Sequence, residues 1–180
     1  MPLRGLAAAT LALVALLSPV TPTATAAGTG PAIVRTSPAS DAATAAREAR
    51  AVRREVNAMI LDYLDAYGDR VTAAEREQME GHRDNADRQL ASVVVTTRRL
   101  SQLAVAPASR ARVLTAARRA IVAHRRARAA AEASFASVRA ILEPRLTLWE
   151  GLQALRDYDA MMGRFDRLGD RLDDIAREVR

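Results

Sequence analysis

Only two prolines, Pro107 and Pro144, and five glycines occur between Asp41 and Arg180. Proline and glycine are the residues that most often end helices and form turns, so their scarcity predicts long, uninterrupted helices. Apolar residues recur along this stretch at three- and four-residue spacing, which is the pattern of one helix face. They make up 49% of the chain and aromatic residues only 3%, so Ala, Leu and Val must supply most of the core. The absence of cysteine excludes a disulfide scaffold, and the apolar content argues against disorder.

The first 27 residues have the pattern of a secretory signal peptide. Arg4 supplies the positive charge, residues 6–17 form an apolar run, and Ala24-Thr25-Ala26 is a small-x-small cleavage pattern. A membrane-spanning helix needs about 20 apolar residues, which this run does not reach. We therefore expect a secreted or extracytoplasmic protein with no transmembrane span after signal cleavage; an uncleaved N-terminal anchor is the alternative. Residues 28–40, rich in Thr, Pro, Ser and Ala, are expected to form a flexible leader.

The remaining residues, 41–180, are predicted to form a single long-helix domain. The periodicity predicts helices at about 41–67, 72–105, 108–143 and 147–179. Short connections make consecutive helices antiparallel neighbours, so the expected fold is an all-α, up-down-up-down four-helix bundle. The alternative is a pair of elongated helical hairpins that completes its core by dimerising, because a core of alanines with few aromatic residues is thin.

Local signals place the ends of these helices. Thr72-Ala73-Ala74-Glu75 and Thr147-Leu148-Trp149-Glu150 are both predicted to be capping boxes, in which the Thr and Glu side chains each bond the other residue's backbone N–H. Ser40 or Asp41 is expected to cap the first helix, and Gly68 to end it in a left-handed conformation. The apolar spacing slips near the middle of the fourth helix, which predicts a bend or break within residues 161–169.

The charge of the chain is concentrated in its middle. All 27 basic residues are arginines, and residues 88–142 hold eleven of them against a single acid, Glu132. Acidic residues outnumber arginines in the two flanking segments, 41–87 and 143–180. This basic block is the most informative feature for function.

Two interpretations of the basic block compete. In the first, the third helix pairs its arginines with acidic first and fourth helices inside the bundle. In the second, part of the block faces outward and binds an anionic partner. With a seam through Leu114 and Ala117, some arginines fall beside a neighbouring helix and others on the outermost position. Arg112, Arg119 and Arg126 fall at the outermost position, and Arg118, Arg125 and Arg139 fall beside a neighbouring helix. The candidate anion-binding residues are the first three together with Arg118 and Arg125.

Possible partners follow from an exported basic surface. They are an anionic cell-wall polymer, acidic lipid headgroups or an acidic protein, and homo-oligomerisation is also possible. There is no specific signal for nucleic acid, because no aromatic residues alternate with the arginines to stack on bases.

No catalytic or metal-binding constellation emerges, so we expect no enzyme activity, cofactor or metal. His82 has carboxylates on adjacent turns, but Arg83 and Arg88 lie among them, and a half-buried seam histidine is the favoured interpretation. His124 lies among arginines that repel cations, so it is expected to be a polar seam residue. No phosphate-binding glycine loop, nucleophile elbow or H-E-x-x-H motif is present.

Two segments share a T-x-x-E core, V-T-A-A-E-R-E-Q-M at 71–79 and L-T-L-W-E at 146–150. The first resembles the L-T-x-x-Q-R-x-x-M element of small periplasmic stress chaperones and metal-resistance proteins, and the second is similar to a degenerate copy of it. Glu75 and Glu150 replace the family's glutamine, Val71 replaces a leucine, and a capping box accounts for both segments without kinship. The resemblance implies an exported, basic, all-helical protein without catalytic residues, which forms cradle-shaped dimers and holds unfolding clients.

The leading hypothesis is a secreted, non-enzymatic binding protein whose basic third helix contacts an anionic envelope component or an acidic protein. An extracytoplasmic holdase-type stress chaperone is the alternative. A self-assembling structural helical protein is the third possibility.

Overall fold

The computed structural model describes residues 37–106 and 108–180, which form four long helices. They are α1 (Pro38–Tyr67), α2 (Ala73–Val105), α3 (Arg110–Leu142) and α4 (Leu148–Glu178), with short 3-10 turns at Gly68–Arg70 and Glu143–Arg145. Helices α1 and α3 each pack against both α2 and α4. This arrangement confirms the predicted all-α four-helix bundle with antiparallel neighbours. The predicted signal peptide and nearly all of the predicted leader lie outside the described residues.

The capping boxes predicted at the starts of α2 and α4 are present. Thr72 accepts from the Glu75 N–H at 3.2 Å while Glu75 accepts from the Thr72 N–H at 2.8 Å, and Thr147 and Glu150 form the same pair of bonds. The prediction for the start of α1 is wrong, because Ser37 rather than Ser40 or Asp41 is its N-cap. Proline is favourable at the first helical position, where its missing N–H has no partner to lose, so Pro38 allows an earlier start. The last residues of the predicted leader, 38–40, therefore belong to α1.

The left-handed end predicted at Gly68 is wrong, and the break that was one of two alternatives within α4 does not occur. Gly68 has φ −59°, a right-handed conformation, and the chain continues from it into a 3-10 turn. A Cβ at this position would contact only the guanidinium of the exposed Arg76, which can move away. Helix α4 runs without interruption through residues 161–169. The adjacent Met161 and Met162 are both buried, so they widen the buried stripe of α4 where a break had been predicted.

The core lies along the bundle axis and is rich in alanine. Its largest fully buried side chains include Phe165, Met79, Leu90 and Leu172. Helices α1 and α3 contribute mainly small residues to it, among them Ala45, Ala49, Ala117, Ala120 and Ala127. Each alanine buries little apolar surface, so it contributes little to the free energy of folding. The helices compensate by their length of 30 to 33 residues, which raises the total apolar area that the bundle buries.

The turns between α1 and α2 and between α3 and α4 are built alike and are tied to each other. Each contains an arginine, an aliphatic residue and then the capping Thr. Arg70 of the first turn pairs with Glu150 at 3.1 Å, and Arg145 of the second pairs with Glu75 at 2.8 Å. Each turn thus supplies the cation that contacts the capping glutamate of the other. Arg70 and the Thr147 N–H lower the pKa of Glu150 to about 2.

Candidate functional site

Most of the predicted seam of α3 is buried, including Ala117, His124, Phe135, Val138 and Leu142. In the first half of the helix the buried line is offset by one residue at three points. Val113, Ala120 and Ala127 are buried there, whereas the predicted seam residues Leu114, Ile121 and Arg128 are only half-buried. The larger Leu and Ile side chains dominate the hydropathy pattern, but alanines let α3 approach its neighbours closely along the adjacent line. This offset rotates the arginines in the first half of α3 relative to their predicted positions.

The rotation places the outermost set, Arg112, Arg119 and Arg126, towards α2. All three are exposed, as their outermost assignment predicted, and they also line cavities between α2 and α3. Arg118 and Arg125 were predicted to lie beside a neighbouring helix, where they could form ion pairs. Both are exposed and make no ion pair with the described residues, and only Arg118 lines a cavity beside α2. Arg139 forms an ion pair within its own end of α3, with Glu143 at 3.1 Å.

Most arginines of the basic block form no ion pair within the part of the chain that the structure describes. Arg128 bridges to Asp166 of α4 at 2.7 Å, and Arg139 pairs with Glu143. The other nine are exposed and make no ion pair with any residue of 37–106 or 108–180: Arg88, Arg98, Arg99, Arg110, Arg112, Arg118, Arg119, Arg125 and Arg126.

The bundle topology explains this lack of pairing. Helix α1, which carries acids, packs against α2 and α4 and lies diagonally across from α3. Its carboxylates are used by α4: Arg171 contacts Glu48 at 2.9 Å and Asp41 at 3.3 Å, and Arg164 pairs with Glu55. The interpretation in which acidic helices on both sides neutralise α3 is therefore not supported by the contacts.

A continuous groove runs between α2 and α3 on the solvent side. Two adjoining cavities of about 650 and 480 Å³ share Thr96, Thr115 and Arg119, and we call their combined lining the α2–α3 groove. Its α2 wall is formed by Gln89, Ser92, Val95, Thr96, Arg99 and Leu103. Its α3 wall is formed by Ala111, Arg112, Thr115, Ala116, Arg118, Arg119, Val122, Ala123 and Arg126.

The groove combines positive charge with apolar surface. Five of its lining residues are arginines and none is acidic. Val95 and Val122 lie in it with 66% and 48% of their surfaces exposed, so the groove offers apolar atoms as well as charge. The hydroxyls of Thr96 and Thr115 donate hydrogen bonds to backbone carbonyls of their own helices, so their donor protons are already used.

Four of the five predicted candidates, Arg112, Arg118, Arg119 and Arg126, line this groove, and Arg125 is exposed but does not. Sequence reasoning missed Arg99 and the two valines. A signal was available: Val95 and Val122 are apolar residues that fall outside the apolar seams of their helices, near arginines on each wall.

The two histidines serve the bundle. His124 is 5% exposed and contacts the carbonyl of Phe165 at 2.9 Å through Nε2; since a carbonyl only accepts, Nε2 carries the proton. Burial lowers the pKa of His124, so the folded protein favours its neutral form. His82 is half-buried, and its Nε2 has no hydrogen-bond partner within the described part of the chain.

The described residues contain neither a metal-binding cluster nor a membrane-spanning helix. No group of three or more His, Cys, Asp or Glu side chains there is arranged to hold a metal ion. None of the four helices has an apolar stretch of the length needed to cross a bilayer.

Comparison with known proteins gives no match. No protein-family model, no curated protein and no solved structure is significantly similar to this chain. Function is therefore inferred from the geometry and charge of the bundle alone.

Proposed function

We propose that this protein is an exported, non-enzymatic binding protein that holds an anionic partner in its α2–α3 groove. The partner is an anionic component of the cell envelope or an acidic protein. The observation that carries the proposal is the set of nine exposed arginines without ion-pair partners among the described residues, five of which line one groove with no acidic residue.

The concentration of like charge has a cost that a partner relieves. Arginines at 112, 119 and 126 are seven residues apart, so they lie on one side of α3 about 10 Å from each other, and they repel one another most at low salt. An anion placed among them removes this repulsion and accepts hydrogen bonds from their planar guanidinium groups, which suit phosphate and carboxylate oxygens. Export is supported by the pattern of the first 27 residues.

The first test replaces the three groove arginines of α3 with glutamine, as R112Q/R119Q/R126Q. Each arginine near an anionic surface contributes about 1 kcal/mol, so binding should weaken by about 100-fold. We would measure the binding of residues 28–180 to long-chain polyphosphate and to phosphatidylglycerol vesicles, with phosphatidylcholine vesicles as the uncharged reference. Binding to the anionic probes should also weaken as salt is raised, because the Debye length falls from about 10 Å at 0.1 M to about 3 Å at 1 M.

The matched control is R47Q/R50Q/R54Q on α1. It removes the same net charge from three exposed arginines that make no ion pair with the described residues and do not line the groove. The control should retain most of the binding. Equal losses in the two variants would mean that only net charge matters, and would contradict a site in the groove.

Holdase activity is the second candidate function, and an apolar cluster at the start of α4 favours it. Leu148 and Trp149 are 77% and 74% exposed, and Leu152 is 38% exposed beside them. Leu146, Leu152 and Leu155 line a cavity of about 280 Å³ next to this cluster. Exposed apolar patches of this kind mark surfaces that bind other proteins.

The holdase function predicts that the protein suppresses aggregation of a chemically unfolded client at modest molar ratios. Light scattering during dilution of unfolded citrate synthase would measure this suppression. The variant L148S/W149S, altered only at exposed positions, should lose at least half of it. An absence of suppression by the unaltered protein would eliminate this candidate.

A further inference from the structure

We propose that the occupant of the α2–α3 groove is an acidic, amphipathic α-helix of a partner protein. This inference rests on the proposed function and narrows it to one class of partner. Its basis is the combination of an elongated shape, exposed apolar side chains and arginines on both walls of one groove.

The shape of the groove fits a helix. At one end the groove is lined by Gln89 of α2 and Arg126 of α3, and at the other end by Leu103 of α2 and Arg112 of α3. Gln89 and Leu103 lie fourteen residues apart on α2, which corresponds to about 21 Å at 1.5 Å per residue. A partner helix of about 14 residues, or four turns, therefore spans it. A third helix commonly packs into the groove between two helices, with rows of its side chains fitting between the side chains of the groove.

The apolar side chains distinguish this occupant from a simple polyanion. Val95 and Val122 lie on opposite walls, and both are largely exposed. A polyphosphate chain has no apolar atoms with which to cover them. The apolar face of an amphipathic helix does cover them, at a gain of about 10-fold in affinity for each buried valine.

The arginines determine the charge of the flanks of the partner helix. Arg99 belongs to the α2 wall, and Arg112, Arg119 and Arg126 to the α3 wall. A helix seated over the valines presents residues of both flanks to these guanidinium groups. Glu or Asp at those flanks forms charge-assisted hydrogen bonds there, whereas Lys or Arg is repelled.

The test compares two synthetic 18-residue peptides of identical composition, rich in Leu and Glu, labelled with a fluorophore. In one, the leucines recur at three- and four-residue spacing with glutamates on both flanks; in the other the order is shuffled so that no apolar stripe forms. Binding to residues 28–180 would be measured by fluorescence anisotropy at low salt, with polyphosphate binding measured in parallel. We expect the amphipathic peptide to bind at least 10-fold more tightly than the shuffled one.

The variant V95Q/V122Q identifies the site. Both positions are exposed, so the bundle should fold normally, which circular dichroism would check. We expect it to weaken the amphipathic peptide by about 10- to 100-fold while changing polyphosphate binding less than about twofold, since only the peptide buries the valines. The matched control L61Q/V105Q alters exposed apolar residues that do not line the groove, and should leave both affinities unchanged.

The outcomes separate this inference from the proposed function. Equal binding of the two peptides, or no effect of V95Q/V122Q on the amphipathic peptide, would overturn the helix as occupant while arginine-dependent polyphosphate binding upheld the groove as an anion site. A loss of phosphatidylglycerol vesicle binding in V95Q/V122Q without a loss of peptide binding would identify a lipid surface instead. Concentration-dependent light scattering that V95Q/V122Q abolishes would identify a second copy of the chain. If no anionic probe binds at low salt, both proposals fail.

Discussion

Replacing Phe165 with alanine is expected to lower the free energy of unfolding by about 3–5 kcal/mol. The Phe165 side chain is fully buried, and its ring packs against that of His124 with centroids 5.9 Å apart. The truncation leaves a cavity between α3 and α4 that neighbouring alanines are too small to fill. Small domains are typically stable by only about 5–15 kcal/mol, so this loss is a large fraction of the total. Urea denaturation followed by circular dichroism would measure it.

The control for this prediction is Trp149→Ala, which removes a larger aromatic side chain. Trp149 is 74% exposed, so its loss should change the free energy of unfolding by no more than about 0.5 kcal/mol. If the two variants lowered the free energy of unfolding by similar amounts, either Phe165 would not be in the core or Trp149 would be covered in solution.

The second large effect concerns two glycines within α4, for which alanine should act in opposite directions. A Cβ at Gly169 would lie 2.9 Å from Cε1 of the buried His124 ring, a distance that real Cβ atoms essentially never show. Overpacking of this kind costs about 1–3 kcal/mol, more than the gain of about 1 kcal/mol that alanine brings to a helix interior. Gly169→Ala should therefore lower the free energy of unfolding, by up to about 2 kcal/mol.

The comparison is Gly163→Ala in the same helix. There the nearest atom to an added Cβ is Nη1 of Arg167 at 3.6 Å, an ordinary contact. Alanine should raise the free energy of unfolding by up to about 1 kcal/mol, because only the gain in helix propensity remains. Thermal unfolding of both variants would show whether Gly169→Ala lowers and Gly163→Ala raises the stability of the protein. A stabilisation by both substitutions would show that the ring of His124 moves away without cost.

The fold could be predicted from the sequence because its signals are local. The reciprocal bonds of Thr72 with Glu75 and of Thr147 with Glu150 depend on residues three apart, so the sequence contains both partners. The start of α1 was misplaced because Pro38 had been counted with the leader, although proline also suits the first turn of a helix. Secretion and the signal peptide stay predictions, since the described residues begin at 37.

The candidate site was only partly predictable because it depends on the rotation of one helix. The basic block was evident, and four of its candidate arginines line the groove. The direction in which they point depends on whether Ala120 or Ile121 lies deepest, a choice decided by close packing against α2 and α4. Hydropathy favours the isoleucine, so the predicted seam is offset by one residue at that point although it matches the buried face in the second half of α3. The groove also needs Arg99 and Val95 from α2, and no pattern within α3 contains that contact.

The placement of the arginines has a consequence for how the bundle approaches other molecules. Helix α3 carries eight arginines and one acidic residue, whereas α4 holds more acids than arginines. Positive charge is therefore displaced from the bundle axis, and the folded domain has a permanent electric dipole moment. Near a negatively charged surface or protein this moment produces a torque that turns α3 forward, within about 8 Å at physiological ionic strength. The domain is thus oriented before any side chain makes contact.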